Sequence, residues 1–307
     1  MVVLLSLLVS MLTTDSTGAA TRGKDTVHAI NKVQIFTGVE RFDFQTKTFG
    51  LSGHNQFSLQ PRVAPKAGFF IQYKWVLFAY NQNLIFGKSQ RDNPIKATSI
   101  GATYLGDSWG ILANFRHYKG LQLIEDDVSP HIDYPSLTYF QISADAYKVI
   151  NKNGFSVRSA FGYNKTPLRS GGAFLYFLHL DGQQWNNVPI KKQDSIYVPT
   201  PTGHDRYITN LIPEGGYAFN LLLGKKGFNA AMLLHAGIGG SLLTGKNTLP
   251  AWGWAWDMGT IFQIGYNGKQ LYSYILAKDD YLTHTQSKAE LLNNNLQSVF
   301  LVLGKRF

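Results

Sequence analysis

Between residues 54 and 307, hydrophobic and polar side chains alternate with a period of two, in segments separated by turn-forming stretches. In Trp109 to Tyr118 one face carries Trp109, Ile111, Ala113, Phe115 and His117, while the other includes Asn114 and Arg116. In Thr138 to Lys148, Phe140, Ile142, Ala144 and Ala146 oppose Gln141, Ser143, Asp145 and Tyr147. In Phe155 to Asn164, Phe155, Val157, Phe161 and Tyr163 oppose Ser156, Arg158 and Asn164. Three consecutive predicted strands thus share one apolar and one polar face. Short turns at 106–108, 151–154, 224–227 and 267–269 alternate with longer polar connections near 84–95, 119–136, 182–206, 242–252 and 280–292. This is the pattern of an all-β, up-and-down antiparallel transmembrane β-barrel with two unlike ends. A strand length of about ten residues suits a tilted crossing of a hydrocarbon layer.

Strand candidates begin near residues 55, 68, 76, 96, 109, 137, 154, 171, 207, 227, 253, 270 and 293. A barrel with both termini on the periplasmic side needs an even number, so twelve to fourteen strands are expected. The segment Trp185 to Tyr197 is the place where an extra strand would sit. Residues 1–20 read as a signal peptide: Val2 to Leu12 is an apolar run too short to span a bilayer as a helix, and Gly18 and Ala20 are small. No Lys or Arg precedes that run, which departs from the usual signal. Residues 21–53 are expected to form an N-terminal periplasmic segment or a lumen plug, with Val33 to Val39 a short strand in either place, and 54–307 the barrel.

Composition sharpens this picture. Charged residues make up 16% of the 307-residue chain, against about 25% in ordinary soluble domains. A soluble barrel with its apolar face inward would need more surface charge than that. Aromatics reach 14%, and Trp75, Trp109, Tyr118, Trp252 and Trp254 lie at strand ends, where interfacial girdles are expected. The polar strand faces place Asn114, Arg116, Gln141, Asp145 and Arg158 in the lumen. With a turn at 151–153, Asp145 and Arg158 would face each other across a hairpin and form a lumenal ion pair. At the C-terminus Gln297, Val299, Leu301 and Leu303 alternate before Phe307, which resembles the signal read by the outer-membrane assembly machinery. The aromatic usually found two residues earlier is Lys305 here.

Two stretches carry a family resemblance. Thr98 to Gly120 (TSIGATYLGDSWGILANFRHYKG) and Phe155 to Leu175 (FSVRSAFGYNKTPLRSGGAFL) resemble segments of an uncharacterised family of Bacteroidetes outer-membrane proteins, domain of unknown function 4421. The resemblance extends over roughly residues 33–307, with Ser170-Gly171-Gly172-Ala173 departing from the family's small-residue order. It implies an outer-membrane barrel and brings no ligand, cofactor or catalytic residue.

Chemistry-bearing motifs are sparse. Gly240 to Lys246 matches the glycine and lysine spacing of a phosphate loop, but Asn247 replaces the hydroxyl residue and Pro250 precludes the following helix. His28, His54, His117, His131, His179, His204, His235 and His284 show no helical spacing and no adjacent acidic pair, so neither a metal site nor a cofactor is expected. Gly50-Leu51-Ser52-Gly53 lacks the spacing of a nucleophile elbow. The net charge of +10 fits cationic loops against lipopolysaccharide phosphates or an anion-biased lumen. Its scattered basic residues do not suggest nucleic acid. The expectation is a non-enzymatic protein of the bacterial outer membrane: a narrow pore, or a structural or partner barrel of an envelope complex, contacting outer-membrane lipid. The alternative is a lipid-modifying outer-membrane enzyme using His117 at the rim.

Overall fold

The computed structural model describes residues 31–50, 53–60, 64–84, 96–125, 128–150, 155–161, 170–188, 190–191, 197–198, 204–224, 227–245, 248–268, 270–287 and 290–307. The strands are β1 (Lys32–Gly50), β2 (Gly53–Gln60), β3 (Ala64–Tyr73), β4 (Val76–Asn83), β5 (Lys96–Leu105), β6 (Trp109–Glu125) and β7 (Val128–Val149). A one-turn helix α1 (Val157–Ala160) precedes β8 (Gly171–Val188), the two-residue strands β9 (Ile190–Lys191) and β10 (Tyr197–Val198), and β11 (His204–Leu222). The chain ends with β12 (Phe228–Gly245), β13 (Thr248–Asn267), β14 (Leu271–Ser287) and β15 (Glu290–Arg306).

Apart from the separate β9–β10 pair, the strands form one antiparallel sheet, and β1 pairs with β15 from Lys32↔Arg306 to Thr48↔Glu290, closing a barrel of twelve strands when β2 and β3, which share one place beside β1, are counted as one. The alternation explains the closure. Val33, Ile35 and Val39 of β1 face outward beside Val299, Leu301 and Leu303 of β15, while Gln34 and Glu40 face inward. The segment expected as a plug or periplasmic extension therefore supplies, from Lys32, the strand that leaves no free edge. The expected signal peptide lies outside the described residues.

β2 and β3 together oppose β1 as one interrupted strand: β1 pairs with β3 up to Glu40↔Ala64 and with β2 from Phe44↔Leu59. The β4–β5 hairpin is inserted only beside β3. Beyond it, β2 meets β6 directly at Gln60↔Gln122. The wall thus forks, and the end away from the termini has fewer strands around it. Most of the polar connections expected as long loops are strand instead. β6 runs to Glu125 and β7 begins at Val128, β12 reaches Gly245 before β13 starts at Thr248, and β14 reaches Ser287 before β15 starts at Glu290. β7, with 22 residues, is twice the roughly 9–11 that a tilted crossing requires, so the barrel projects beyond its apolar belt. Residues 85–95 lie outside the described set.

In the segment 155–164, expected as a strand, the described residues 155–161 contain the helix α1 instead. Ser156 caps this helix, accepting from the Ser159 amide at 3.2 Å, and donates from Oγ to Asp107 Oδ1 at 2.6 Å. Phe155, Val157 and Ala160 pack inside the barrel against Leu175, Phe177, Ala218 and Leu233, because the inward positions that face them on β8, β11 and β12 are apolar. The expected Asp145–Arg158 pairing across a hairpin is consequently not formed.

Candidate functional site

The outward face is lined by apolar side chains such as Ile142, 65% exposed, Phe174, Ile238 and Leu301, with Trp75 near the termini and Trp252 and Trp254 toward the opposite end. Tyr118, expected in that girdle, points inward instead. It is buried, stacks on Phe42 at 5.0 Å and donates to Glu40 Oε1 at 2.5 Å. His117 remains on the outer face, where its ring lies flat on Phe140 at 4.3 Å.

Inside, three layers follow one another along the barrel axis. Toward the projecting end, Phe42, Phe44, Tyr118, Tyr139 and Trp185 stack together with Leu121, Leu137, Ile208 and Leu296. Toward the termini, the α1 cluster fills one sector of the lumen, and Phe36, Tyr272, Tyr274 and Val302 fill another. Between the apolar layers lies a polar belt around a cavity of about 130 Å³.

Four of the residues expected in the lumen, Asn114, Arg116, Gln141 and Asp145, border this cavity. Arg116 Nη1 donates to Gln141 Oε1 at 2.8 Å, and Gln141 Nε2 donates to Asp181 Oδ1 at 2.6 Å. Asp181 also accepts from Gln183 and Asn210, at 2.7 and 3.0 Å. Arg158 does not join them, since it lies on α1 and its Nε is buried without a hydrogen-bond partner. Asp145 takes His179 instead, with 2.5 Å between its Oδ1 and the ring Nδ1. Phe307 is exposed, and its amide donates to the Asn31 carbonyl at 2.9 Å.

The densest chemistry in the belt joins residues that the sequence spacing did not connect. His179 on β8, Glu214 on β11 and Asp257 on β13 present one ligand-type atom each, all within 4.8 Å of one another. His235 on β12 meets Glu214 Oε2 through Nδ1 at 2.8 Å and stands 3.8 Å from Asp257 Oδ2. Lys278 Nζ pairs with Asp280 Oδ2 at 2.9 Å on the adjoining wall. Glycine makes this convergence feasible. A Cβ at inward-facing Gly237 would run into the Pro213 carbonyl and Glu214 Cγ, and one at Gly259 into the His235 ring. Helical spacing was the wrong ruler for these groups, because a barrel brings together side chains from successive strands.

No curated protein is detectably similar to the chain. Among solved structures, the outer membrane protease OmpT of Escherichia coli is 8% identical, with a TM-score of 0.46, covering 95% of this chain and 100% of its own. The translocator domain of the autotransporter NalP of Neisseria meningitidis is 12% identical, with a TM-score of 0.44, covering 99% and 93%. The family model described as a domain of unknown function (DUF4421) matches residues 27–307, and the chain belongs to that family.

Proposed function

We propose that this protein is a non-enzymatic barrel of the bacterial outer membrane, of the Bacteroidetes type implied by the sequence resemblance, whose lumen does not conduct. Its work is done by the projecting end, as the membrane-embedded partner of an envelope complex. The placement in a membrane is supported by a closed sheet without edges, an outward apolar belt and exposed tryptophans toward both ends. The observation that carries the non-conducting part is the pair of apolar layers that bracket the polar belt, with α1 seated inside one of them. Apolar layers of packed side chains leave no continuous polar lining for a hydrated ion. The strands beyond the belt supply the partner surface, since they extend well past what a crossing requires.

Planar-bilayer recording on detergent-purified protein, with insertion verified independently, tests this. Silence is expected, whereas a steady, salt-dependent current would establish a narrow pore. The non-enzymatic part is tested with His117→Ala. If membranes carrying the wild-type chain show a lipid modification that this variant abolishes while still inserting, the protein is an enzyme.

A further inference from the structure

We propose that the lumenal cavity holds one divalent first-row transition-metal ion of the zinc type, ligated by His179 Nε2, Glu214 Oε1 and a carboxylate oxygen of Asp257. The proposal is independent of whether the barrel conducts. Three strands, β8, β11 and β13, bring one ligand-type atom of each residue within 4.8 Å of the others. Tetrahedral zinc, with bonds near 2.0–2.1 Å, sets its ligand atoms about 3.3 Å apart, so small side-chain rotations complete the site.

Two unpartnered atoms point to a ligand. His179 Nε2 and Glu214 Oε1 are both buried with no hydrogen-bond partner, in residues only 9% and 3% exposed. Their other polar atoms are engaged in the manner expected of metal ligands. A carboxylate accepts, so the bond between His179 Nδ1 and Asp145 fixes the proton on Nδ1 and leaves the Nε2 lone pair for an ion. His235 likewise holds Glu214 Oε2 and leaves Oε1 free.

Charge favours a cation as well. Asp145, Glu214, Asp257 and Asp280 line the cavity with His179 and His235, and with both imidazoles neutral these four acidic groups outnumber the permanent cations Arg116 and Lys278. Buried carboxylates in excess of cations are costly, and a divalent ion offsets them. One imidazole nitrogen with two carboxylates suits zinc and its neighbours better than magnesium or calcium, which prefer all-oxygen sites. The cavity of about 130 Å³ leaves room for water as a fourth ligand.

The test uses the full chain extracted from membranes in detergent. Zinc is offered both to the folded protein and during refolding from urea, since the apolar layers slow entry. Free metal is then removed, and bound metal is counted by inductively coupled plasma mass spectrometry. The expected result is about one zinc per chain, reduced at least tenfold by His179→Gln or Glu214→Gln and unchanged by His117→Gln. Asp145→Asn, which removes the orienting carboxylate, is expected to weaken binding about 10–100-fold. Heat-modifiable gel mobility reports folding of each variant. Should the ligand variants fail to fold, wild type loaded with cobalt(II) decides: visible bands of a four-coordinate, nitrogen- and oxygen-ligated ion are expected. Folded wild type with less than a tenth of an ion per chain would overturn the proposal and leave a water-filled polar network. So would a cobalt spectrum of six-coordinate, solvent-like character, or zinc binding indifferent to His179→Gln and Glu214→Gln.

Discussion

The Glu214 and Asp257 carboxylates approach each other over Gly237, which pairs with both of their strand positions. Gly237→Ala places a methyl group against the Pro213 carbonyl and Glu214 Cα, backbone atoms that cannot move without shifting β11. Overpacking of this kind costs about 1–3 kcal/mol, read as a lower urea midpoint in detergent micelles. Gly240→Ala on the same strand meets nothing within 4 Å, and a change of less than about 0.5 kcal/mol is expected. Equal effects at both positions would mean that the glycines matter through strand propensity and not through the space they leave. A second residue-scale case is the Glu40–Lys66 ion pair, buried where β1 exchanges one partner strand for another. Lys66→Met leaves the buried Glu40 carboxylate its Tyr118 hydrogen bond but removes the paired cation, and is expected to cost about 3–5 kcal/mol, whereas Glu40→Gln combined with Lys66→Met recovers most of the loss. The same unfolding assay measures both variants. An additive double variant would show that the two side chains act separately.

At the scale of the element, α1 is the part of the molecule whose structure its pattern misrepresents. Phe155, Val157 and Phe161 alternate with Ser156 and Arg158 as a lipid-facing strand would. The sector of the barrel interior around α1 is itself apolar, however, so the same side chains are buried by turning inward. Period-two patterning identifies a face that avoids water, without saying whether lipid or a packed lumen covers it. Tyr118, Tyr139 and Trp185 carry the same ambiguity, since an aromatic near a strand end fits a girdle or a lumenal stack. The belt strands were legible because their outward faces are apolar and their inward faces polar. This holds for Asn114, Arg116, Gln141 and Asp145, whose neighbours along the strand face outward. The His179, Glu214 and Asp257 cluster was not legible, because strand register and not local spacing brings it together. Val157→Ala tests the packing of α1: a loss of about 2 kcal/mol is expected for its buried side chain. Faster hydrogen exchange across 155–161, with β8 still protected, would locate that loss in α1, which then behaves as a local unfolding unit. Uniform loss of protection would mean that α1 and the wall unfold together.

On the scale of the whole molecule, the polar belt lies between two apolar layers in series, built from different strands and different kinds of side chain. The layer toward the projecting end is a stack of aromatic rings, with Phe44 and Trp185 centroids 4.0 Å apart and Tyr139 and Trp185 4.2 Å apart. The layer toward the termini depends on a short segment folded back into the lumen. Two barriers in series conduct only when both are breached, so the molecule makes a non-additive prediction. Replacing 155–161 with a glycine–serine linker is expected to leave the barrel silent in a planar bilayer, because the aromatic stack still excludes water. Trp185→Ala with Tyr139→Ala is expected to be silent as well, because α1 remains in place. Only the combination opens a path through the belt, and the side chains then exposed to permeating ions are Arg116, Asp145, Lys278 and Asp280. Current from either partial variant alone would show that the layer left intact does not close the lumen. A silent combined variant, with folding verified by gel mobility, would mean that the polar belt is itself too narrow for an ion.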